Sequence, residues 1–413
     1  MNTEESLAGS SINTEESLAG SSMNTEESLA GSSINPPGEP LDGVRRIAVL
    51  RCNALGDYLM TTPALTALRR TYPDAEIVLV GARWHAAFLC GRPGPVNRVA
   101  VLPAVPGLAG QPAGSPPDIE LDGFLAALRA QRFDLALQLH GGGARANPLV
   151  TTFGARCTAG LRAAGAPALD RWVPYRYYQP ETSRYLEVTA LIGADGPPDY
   201  PRLAVTDSER ERGAELLPGD GPWVAIHPGA TDPRRRWPPE RFAAVLDRLT
   251  SAGARPVVLG APDERAIADA VLGAARSHPL NLTGATSLSE LTGVLDRCAV
   301  VIADDSGPLH LAHAVATATV GLYWCGNAIN AAPHRRATSR PLLSWTVHCP
   351  ECGADCTPVG HPHRTGEGCA HRPSFLGQIP ITEVVEEALD LLATGSGRCR
   401  GAARSTARRE DRG

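Results

Sequence analysis

Short apolar runs alternate with helical patterns along this chain, in two separate series. The first series opens with Arg46-Ile-Ala-Val-Leu-Arg51, a run suited to a strand buried on both faces. A turn, Cys52-Asn-Ala-Leu-Gly-Asp57, follows. Tyr58–Tyr72 then carries apolar residues at helical spacing, and Ala75–Val80 reads as a second strand. That is a βαβ unit, whose crossover is right-handed. Asp134–Leu139 predicts another strand, running into His140-Gly-Gly-Gly143, and residues 104–120 read as a Pro- and Gly-rich loop. After residue 200 the pattern restarts. A linking helix, Ser208–Leu217, precedes strands at Trp223–Ile226, Pro256–Leu259, Ala299–Ala303 and Thr319–Tyr323. Between them lie helices at Pro239–Ala252, Ser287–Cys298 and Leu309–Ala316. The alternation predicts an α/β chain with two doubly wound parallel sheets, which bind ligands at the carboxyl ends of their strands. The turns at 52–57, 140–143, 227–236 and 304–308 all fall there.

With 413 residues the chain can build two domains, each with its own core. The expected division is a repeat tail at 1–40, an N-terminal domain at 41–205, a C-terminal domain at 206–395 and a basic tail at 396–413. Met1–Ser11, Ile12–Ser22 and Met23–Ser33 are one eleven-residue unit written three times. Each unit has too few apolar positions to offset the entropy of ordering, so the tail is expected to be disordered. The net charge of −5 comes largely from the Glu-rich repeats, while the last residues are Arg-rich, leaving a nearly neutral core. Such a core carries no nucleic-acid footprint. The basic tail is usually a solvated segment, and peripheral contact with an anionic membrane face is the other reading. No apolar run reaches the length of a membrane span, and the N-terminus lacks the regions of a signal peptide. A cytoplasmic protein is expected, possessing thiols or metal ligands rather than disulfides among its ten Cys. All 39 basic residues are Arg, so phosphate contacts fall to Arg, His or backbone N–H groups.

Four strand-end turns carry candidate chemistry. Asp304-Asp305-Ser306-Gly307 closes a buried strand and opens a helix, whose unpaired N–H groups and partial positive charge suit phosphate. Asp and Ser are also the residues that cap helices in any protein. In His227-Pro-Gly-Ala-Thr-Asp-Pro-Arg-Arg-Arg-Trp-Pro238, successive arginines suit bidentate pairing with a diphosphate, Arg235 and Arg236 being the candidates. A solvated basic loop has the same composition. Glu264, after the strand ending at Leu259, stands where an acid accepts from ribose hydroxyls, or where it favours the next helix dipole. Asp57 is placed either to act as a general base or to cap a helix. Cys349, Cys352, Cys356 and Cys369, with His348, His361, His363 and His371 interspersed, have spacing suited to a structural zinc. An iron–sulfur cluster or reduced thiols fit the same spacing. Four thiolates leave no open position for catalysis.

In this order the motifs resemble glycosyltransferase family 9, the ADP-heptose:lipopolysaccharide heptosyltransferase-like family, from about Val44 to Leu392. Arg51-Cys-Asn-Ala-Leu-Gly-Asp57 with Pro63 is similar to the family's opening R-x-x-x-(L/I)-G-D-x-x-x-x-x-P. His140-Gly-Gly-Gly-Ala-Arg145 resembles its mid-domain Gly-rich turn. His227-Pro-Gly-Ala…Arg236-Trp-Pro238 resembles P-G-A…K-R-W-P, and Asp304-Asp-Ser-Gly-Pro-Leu-His310 resembles N-D-(S/T)-G-x-x-H. The Cys-rich segment before the last helix is also a family feature. The resemblance implies a GT-B fold, two Rossmann-like halves facing each other across a cleft. It also implies inverting transfer of a heptose-like sugar from an ADP-heptose-like donor to a glycan, glycolipid or natural-product hydroxyl, in cell-envelope or lipopolysaccharide biosynthesis at the inner membrane face. Asp57 would be the base; Arg235, Ser306 and the Gly307 N–H would hold the leaving diphosphate. Asp305 and His310 carry over as donor-site residues and Glu264 as the ribose contact. His140 and Arg145 fall in the acceptor half. No cofactor is implied for catalysis. Arg235 stands where the family often has Lys, and Asp304 where it has Asn. A catalytically silent nucleotide-sugar sensor and a nucleotide-sugar epimerase are the competing readings; Asp57 favours turnover.

Overall fold

The structure, a computed structural model, describes residues 38–108, 110–111, 120–197, 200–333, 335–357 and 370–407. The triplicate repeat, Cys369 and the last residues of the basic tail lie outside the described residues.

The apolar runs form strands because both their faces are covered, as at Ile47, Ala48, Val49 and Leu50. Strands β1 (Arg46–Leu50), β2 (Glu76–Gly81), β3 (Arg98–Val101), β4 (Leu135–Gln138), β5 (Cys157–Arg162) and β6 (Arg171–Pro174) make one six-stranded sheet, in the order β3-β2-β1-β4-β5-β6. Strands β7 (Trp223–His227), β8 (Arg255–Val258), β9 (Leu280–Asn281), β10 (Val300–Asp304), β11 (Ala318–Trp324) and β12 (Ser339–Ser344) make a second, in the order β9-β8-β7-β10-β11-β12. Neighbouring strands in both sheets pair in parallel. The two doubly wound sheets expected from the alternation are therefore present. In each, the winding reverses between the first strand and the fourth, β1/β4 and β7/β10, and a crevice opens beyond the strand ends there. The 104–120 segment is not purely loop, because Val105–Pro106 pairs with Gly110–Gln111.

Helices α1 (Leu55–Thr71), α2 (Arg83–Leu89), α3 (Leu121–Ala130), α4 (Ala146–Thr151) and α5 (Glu181–Ala190) flank the first sheet. Helices α6 (Asp207–Leu216), α7 (Pro239–Ser251), α8 (Arg265–Ala274), α9 (Leu288–Arg297), α10 (Gly307–Ala314), α11 (Cys325–Ala331) and α12 (Ile381–Ala407) belong to the second series. The last of these continues past residue 395 to Ala407. Among the described residues no helix is long and apolar enough to cross a membrane.

The halves meet through α1 on α10 and α5 on α11. One apolar cluster runs from Leu59 and Leu65 of α1 to Leu309 and Leu311 of α10. Buried Arg92 of the first half pairs with Glu209 of α6, with Nη1 to Oε2 at 2.9 Å. Glu209 also closes a capping box with Thr206, so the start of α6 is tied to the first half.

Helix α6 crosses α9 at Gly213 and Gly293. A Cβ built at Gly213 would lie 2.3 Å from the Gly293 carbonyl oxygen, and one at Gly293 would lie 1.8 Å from the Glu209 carbonyl oxygen. Both neighbours are backbone and cannot yield cheaply. Gly123 in α3 has open space around it. Urea unfolding should therefore give opposite signs. Gly293→Ala loses about 1–3 kcal/mol through overpacking, whereas Gly123→Ala gains about 0.5–1 kcal/mol through helix propensity.

Candidate active site

Arg51 leaves the end of β1 and turns inward, where it is fully buried. Its Nη1 donates to the Leu139 carbonyl at 2.6 Å and to Tyr185 Oη at 2.8 Å, and its Nε donates to the Asp57 carbonyl at 3.1 Å. Its Nη2 lies 3.0 Å from Asp57 Oδ1 and 3.6 Å from Glu181 Oε2. Glu181 in turn pairs with Arg184 and accepts from Tyr185 Oη. These α5 residues are three and four apart, hence on one helix face. Arg184 also donates to the carbonyls of Arg176, Tyr177 and Gln179, fastening the segment before α5.

Asp57 is buried in the first turn of α1, but Ala54 occupies the N-cap position. Asp57 is therefore not the N-cap itself; from the third helical position its carboxylate accepts from the Ala54 N–H. Burial pushes the Asp57 carboxyl up, Arg51 pulls it down and Glu181 pushes it up again, leaving it at about 7. His310, from the second half, also pulls it down, which places the two halves within electrostatic reach. Oδ2 of Asp57 has no hydrogen-bond partner among the described residues.

Across the interface, the turns after β7, β8, β10 and β11 converge. A Cβ at Gly307 would lie 3.6 Å from the Leu55 side chain, so the N-termini of α1 and α10 are in contact range. Ser306 holds the N-cap position of α10 but makes no side-chain cap bond. Its Oγ lies 3.2 Å from His227 Nδ1, and His227 Nε2 lies 3.1 Å from Glu264 Oε2. Burial would raise the Glu264 carboxyl; His227, the Ala261 N–H and Arg236 together outweigh it and hold the group down at about 2. Gly229 allows this packing, since a Cβ there would sit 1.9 Å from Glu264 Oε1.

The three arginines divide their roles. Arg234 is bound to Asp232, with contacts from 2.6 to 3.1 Å, and braces the turn. Arg236 Nε donates to the Ala230 carbonyl at 2.7 Å. Arg235 Nη1 lies 3.2 Å from Asp305 Oδ2. Asp305 also has His310 Nε2 at 3.1 Å and accepts from Asn327 Nδ2 at 2.9 Å. Burial would raise its carboxyl, but His310, Arg235 and Asn327 together hold it low. Asp304 faces elsewhere. Its oxygens accept from the Trp237 N–H at 3.1 Å, and burial drives its carboxyl well above the usual range.

His140 is buried against Cys52, with Nδ1 3.5 Å from Sγ, and burial holds its imidazole well below the usual range. Arg145 is exposed and donates to the Pro106 carbonyl at 3.3 Å. The sequence had not marked Arg51, Glu181, Tyr185, His227 or Asn327 as site residues. Arg51 and His227 stood inside the motifs already noted, and Glu181, Arg184 and Tyr185 form a polar helix face.

The Cys-rich segment packs under the second sheet, with Cys349 and Cys356 buried beside Trp324 and Phe375. Ligand atoms of Cys349, Cys352 and His371 lie within 4.8 Å of one another. Among the described residues an imidazole thus joins two of the four expected thiols; Cys356 Sγ lies 3.4 Å from the Ala354 carbonyl oxygen, and Cys369 is outside the described residues. The donor set suits tetrahedral zinc.

Comparison with known proteins agrees with this arrangement. The profile described as glycosyltransferase family 9 (heptosyltransferase) matches residues 123–340, more than half of the 413-residue chain. Lipopolysaccharide heptosyltransferase 3 of Escherichia coli (strain K12) is 27% identical over 285 residues, covering 65% of this chain and 79% of that protein. The solved family 9 glycosyltransferase of Veillonella parvula DSM 2008 superposes with a TM-score of 0.68 at 21% identity, covering 86% of this chain and 99% of that one. The E. coli ADP-heptose lipopolysaccharide heptosyltransferase II superposes with a TM-score of 0.64 at 20% identity, covering 85% and 99%. The two facing sheets are thus the GT-B architecture, and the chain belongs to glycosyltransferase family 9 and is a glycosyltransferase.

Proposed function

We propose that this chain moves a heptose-like sugar, with inversion, from an ADP-linked donor to a hydroxyl of a glycan or glycolipid. The observation that carries the reading is Asp57. It is a buried carboxylate poised at about 7, with Oδ2 unpartnered among the described residues and His310 of the opposite half close enough to bias it. A base poised near neutrality suits proton abstraction. The names of the E. coli relatives supply the heptose and ADP elements of the proposal.

In this reading the acceptor binds against the 41–205 half, near the His140–Arg145 turn, and the donor binds along the 206–395 half. Glu264 receives the ribose hydroxyls. The acceptor oxygen attacks the anomeric carbon from the side opposite the diphosphate. Its proton passes to Asp57 Oδ2 as the bond to the leaving phosphate oxygen breaks, and the electron pair stays on the diphosphate. Ser306, the Gly307 N–H and Arg235 face the charge that develops there, with Arg236 supporting the turn. Asp305 holds Arg235 and His310 in register for this. Cys349, Cys352 and His371, completed by Cys356 or Cys369, would hold a structural zinc that braces the segment before α12 and supplies no transfer chemistry.

Replacing Asp57 by Asn should lower kcat by about 10²–10⁴-fold while leaving the Kd for ADP unchanged by calorimetry; retained turnover would remove the general-base role. The log of kcat/KM should rise with pH and level off above about 7, since only ionised Asp57 accepts the proton. Glu181→Gln removes a charge that pushes Asp57 up, so the acid limb should move to lower pH. Elemental analysis should find about one zinc per chain, and Cys349→Ser should lose both the metal and part of the Tm.

A further inference from the structure

A group of buried polar atoms beyond β11 has no role in the scheme so far. Asn330 of α11 is 2% exposed, yet neither its carboxamide oxygen nor its nitrogen has a hydrogen-bond partner among the described residues. Asn327, 1% exposed, donates Nδ2 to Asp305 and leaves its Oδ1 without a donor. Residues three apart share a helix face, so Asn330 stands on the side of α11 that reaches Asp305. Ile329, 46% exposed, marks the solvent side. Buried amide groups are nearly always paired, because leaving them unpaired is costly. Three such atoms on one face, beside a donor-site carboxylate, indicate that a bound molecule supplies the partners.

The chemistry of the atoms narrows that molecule. A carboxamide offers donors on nitrogen and an acceptor on oxygen. Phosphate oxygens only accept; they would satisfy Nδ2 and repel Oδ1. A sugar hydroxyl both donates and accepts, and so does the edge of adenine. Position along the sheet separates these two. The turns follow the strand order β8, β7, β10, β11, bearing Glu264, His227, Asp305 with Ser306, and then Asn327 with Asn330. Neighbouring strands are about 4.8 Å apart, so this row spans about 14 Å, the scale of an extended nucleotide sugar. With ribose at Glu264 and diphosphate at Ser306, the portion reaching α11 is the transferred sugar.

We infer that Asn327 and Asn330 read hydroxyl groups of the donor sugar and set which sugar is transferred. This rests on the donor orientation proposed above. A site built to pair with hydroxyls discriminates strongly against sugars lacking them, because its own buried groups are then left unpaired.

Calorimetry with ADP and with ADP-heptose on the full chain tests the assignment. Asn330→Ala should weaken ADP-heptose binding by about tenfold and leave ADP within about twofold of the wild type. Asn330→Leu, which replaces an unpaired amide with an apolar group of similar volume, should keep or raise the Tm of the free protein. Equal weakening of both probes, no change in either, or a lowered Tm for Asn330→Leu would overturn the sugar subsite. A different result would reach further back. If the wild type bound neither probe, or if Glu264→Ala left ADP affinity intact, the donor orientation itself would fall and the subsite with it. Tight ADP binding that depends on Glu264, with no sugar-specific loss in Asn330→Ala, would remove the subsite alone.

Discussion

A single guanidinium, that of Arg51, holds the first half's side of the interface together. It is buried between two carboxylates and three neutral acceptors, so its charge cannot be screened by solvent. Breaking one side of a buried pair costs about 3–5 kcal/mol, because the remaining charge stays desolvated. The arrangement is asymmetric. Glu181 has a second cation, Arg184, and a hydrogen bond from Tyr185, and is held below the ordinary carboxylate range although burial opposes this. Asp57 shares Arg51 and feels Glu181 as a like charge. One acid is thereby fixed as an anion while the other sits where both protonation states are accessible near neutrality. Two carboxylates set apart by their surroundings is the pattern expected where one supports and the other exchanges a proton.

The second half solves a related problem with a chain of contacts. Glu264, His227 and Ser306 stand at the carboxyl ends of three strands that are adjacent in the second sheet, His227 closing β7 itself, and link in sequence through 3.1 and 3.2 Å contacts. The link ties the turn after β8 to the turn after β10 through the end of β7. Asp305 plays the corresponding part beside it, drawing Arg235, His310 and Asn327 to a common point. Both halves use the carboxyl ends of their strands at the reversal of strand order, and the contact of α1 with α10 turns those two crevices toward each other.

Much of the fold was legible because periodicity is local. Strands such as β1 and β10 carry four consecutive apolar residues beside turn residues, and their bounds fall within a residue of the reading. The two-residue strand β9 and the strands β3, β5, β6 and β12 were not foreseen. The latter four carry Arg, Thr or Ser, and β3, β6 and β12 sit at or near sheet edges where polar residues are tolerated. The site was legible in part for the same reason. The turns bearing Asp57, Ser306 and Glu264 could be placed at strand ends, yet only the structure shows that Asp57 stands inside the first turn of its helix and that Ser306, at the N-cap, turns its hydroxyl to His227. The row of three arginines looked uniform; packing gave Arg234 to Asp232, Arg236 to a carbonyl and Arg235 to Asp305.

By itself, then, the sequence determined the alternation of strand and helix, the two parallel sheets and the order of the motifs along the chain. Each of these follows from the spacing of apolar residues and from turn chemistry over a few positions. The tertiary structure decided which charges share a desolvated space. Arg51 meets Tyr185 across 134 residues, and Arg235 meets Asp305 across 70. The energy of a charge depends on how much water it loses and what replaces that water, and neither is a property of the residue or its sequence neighbours. For that reason Asp57 could be named from its motif, while its poise near neutrality required the packed environment.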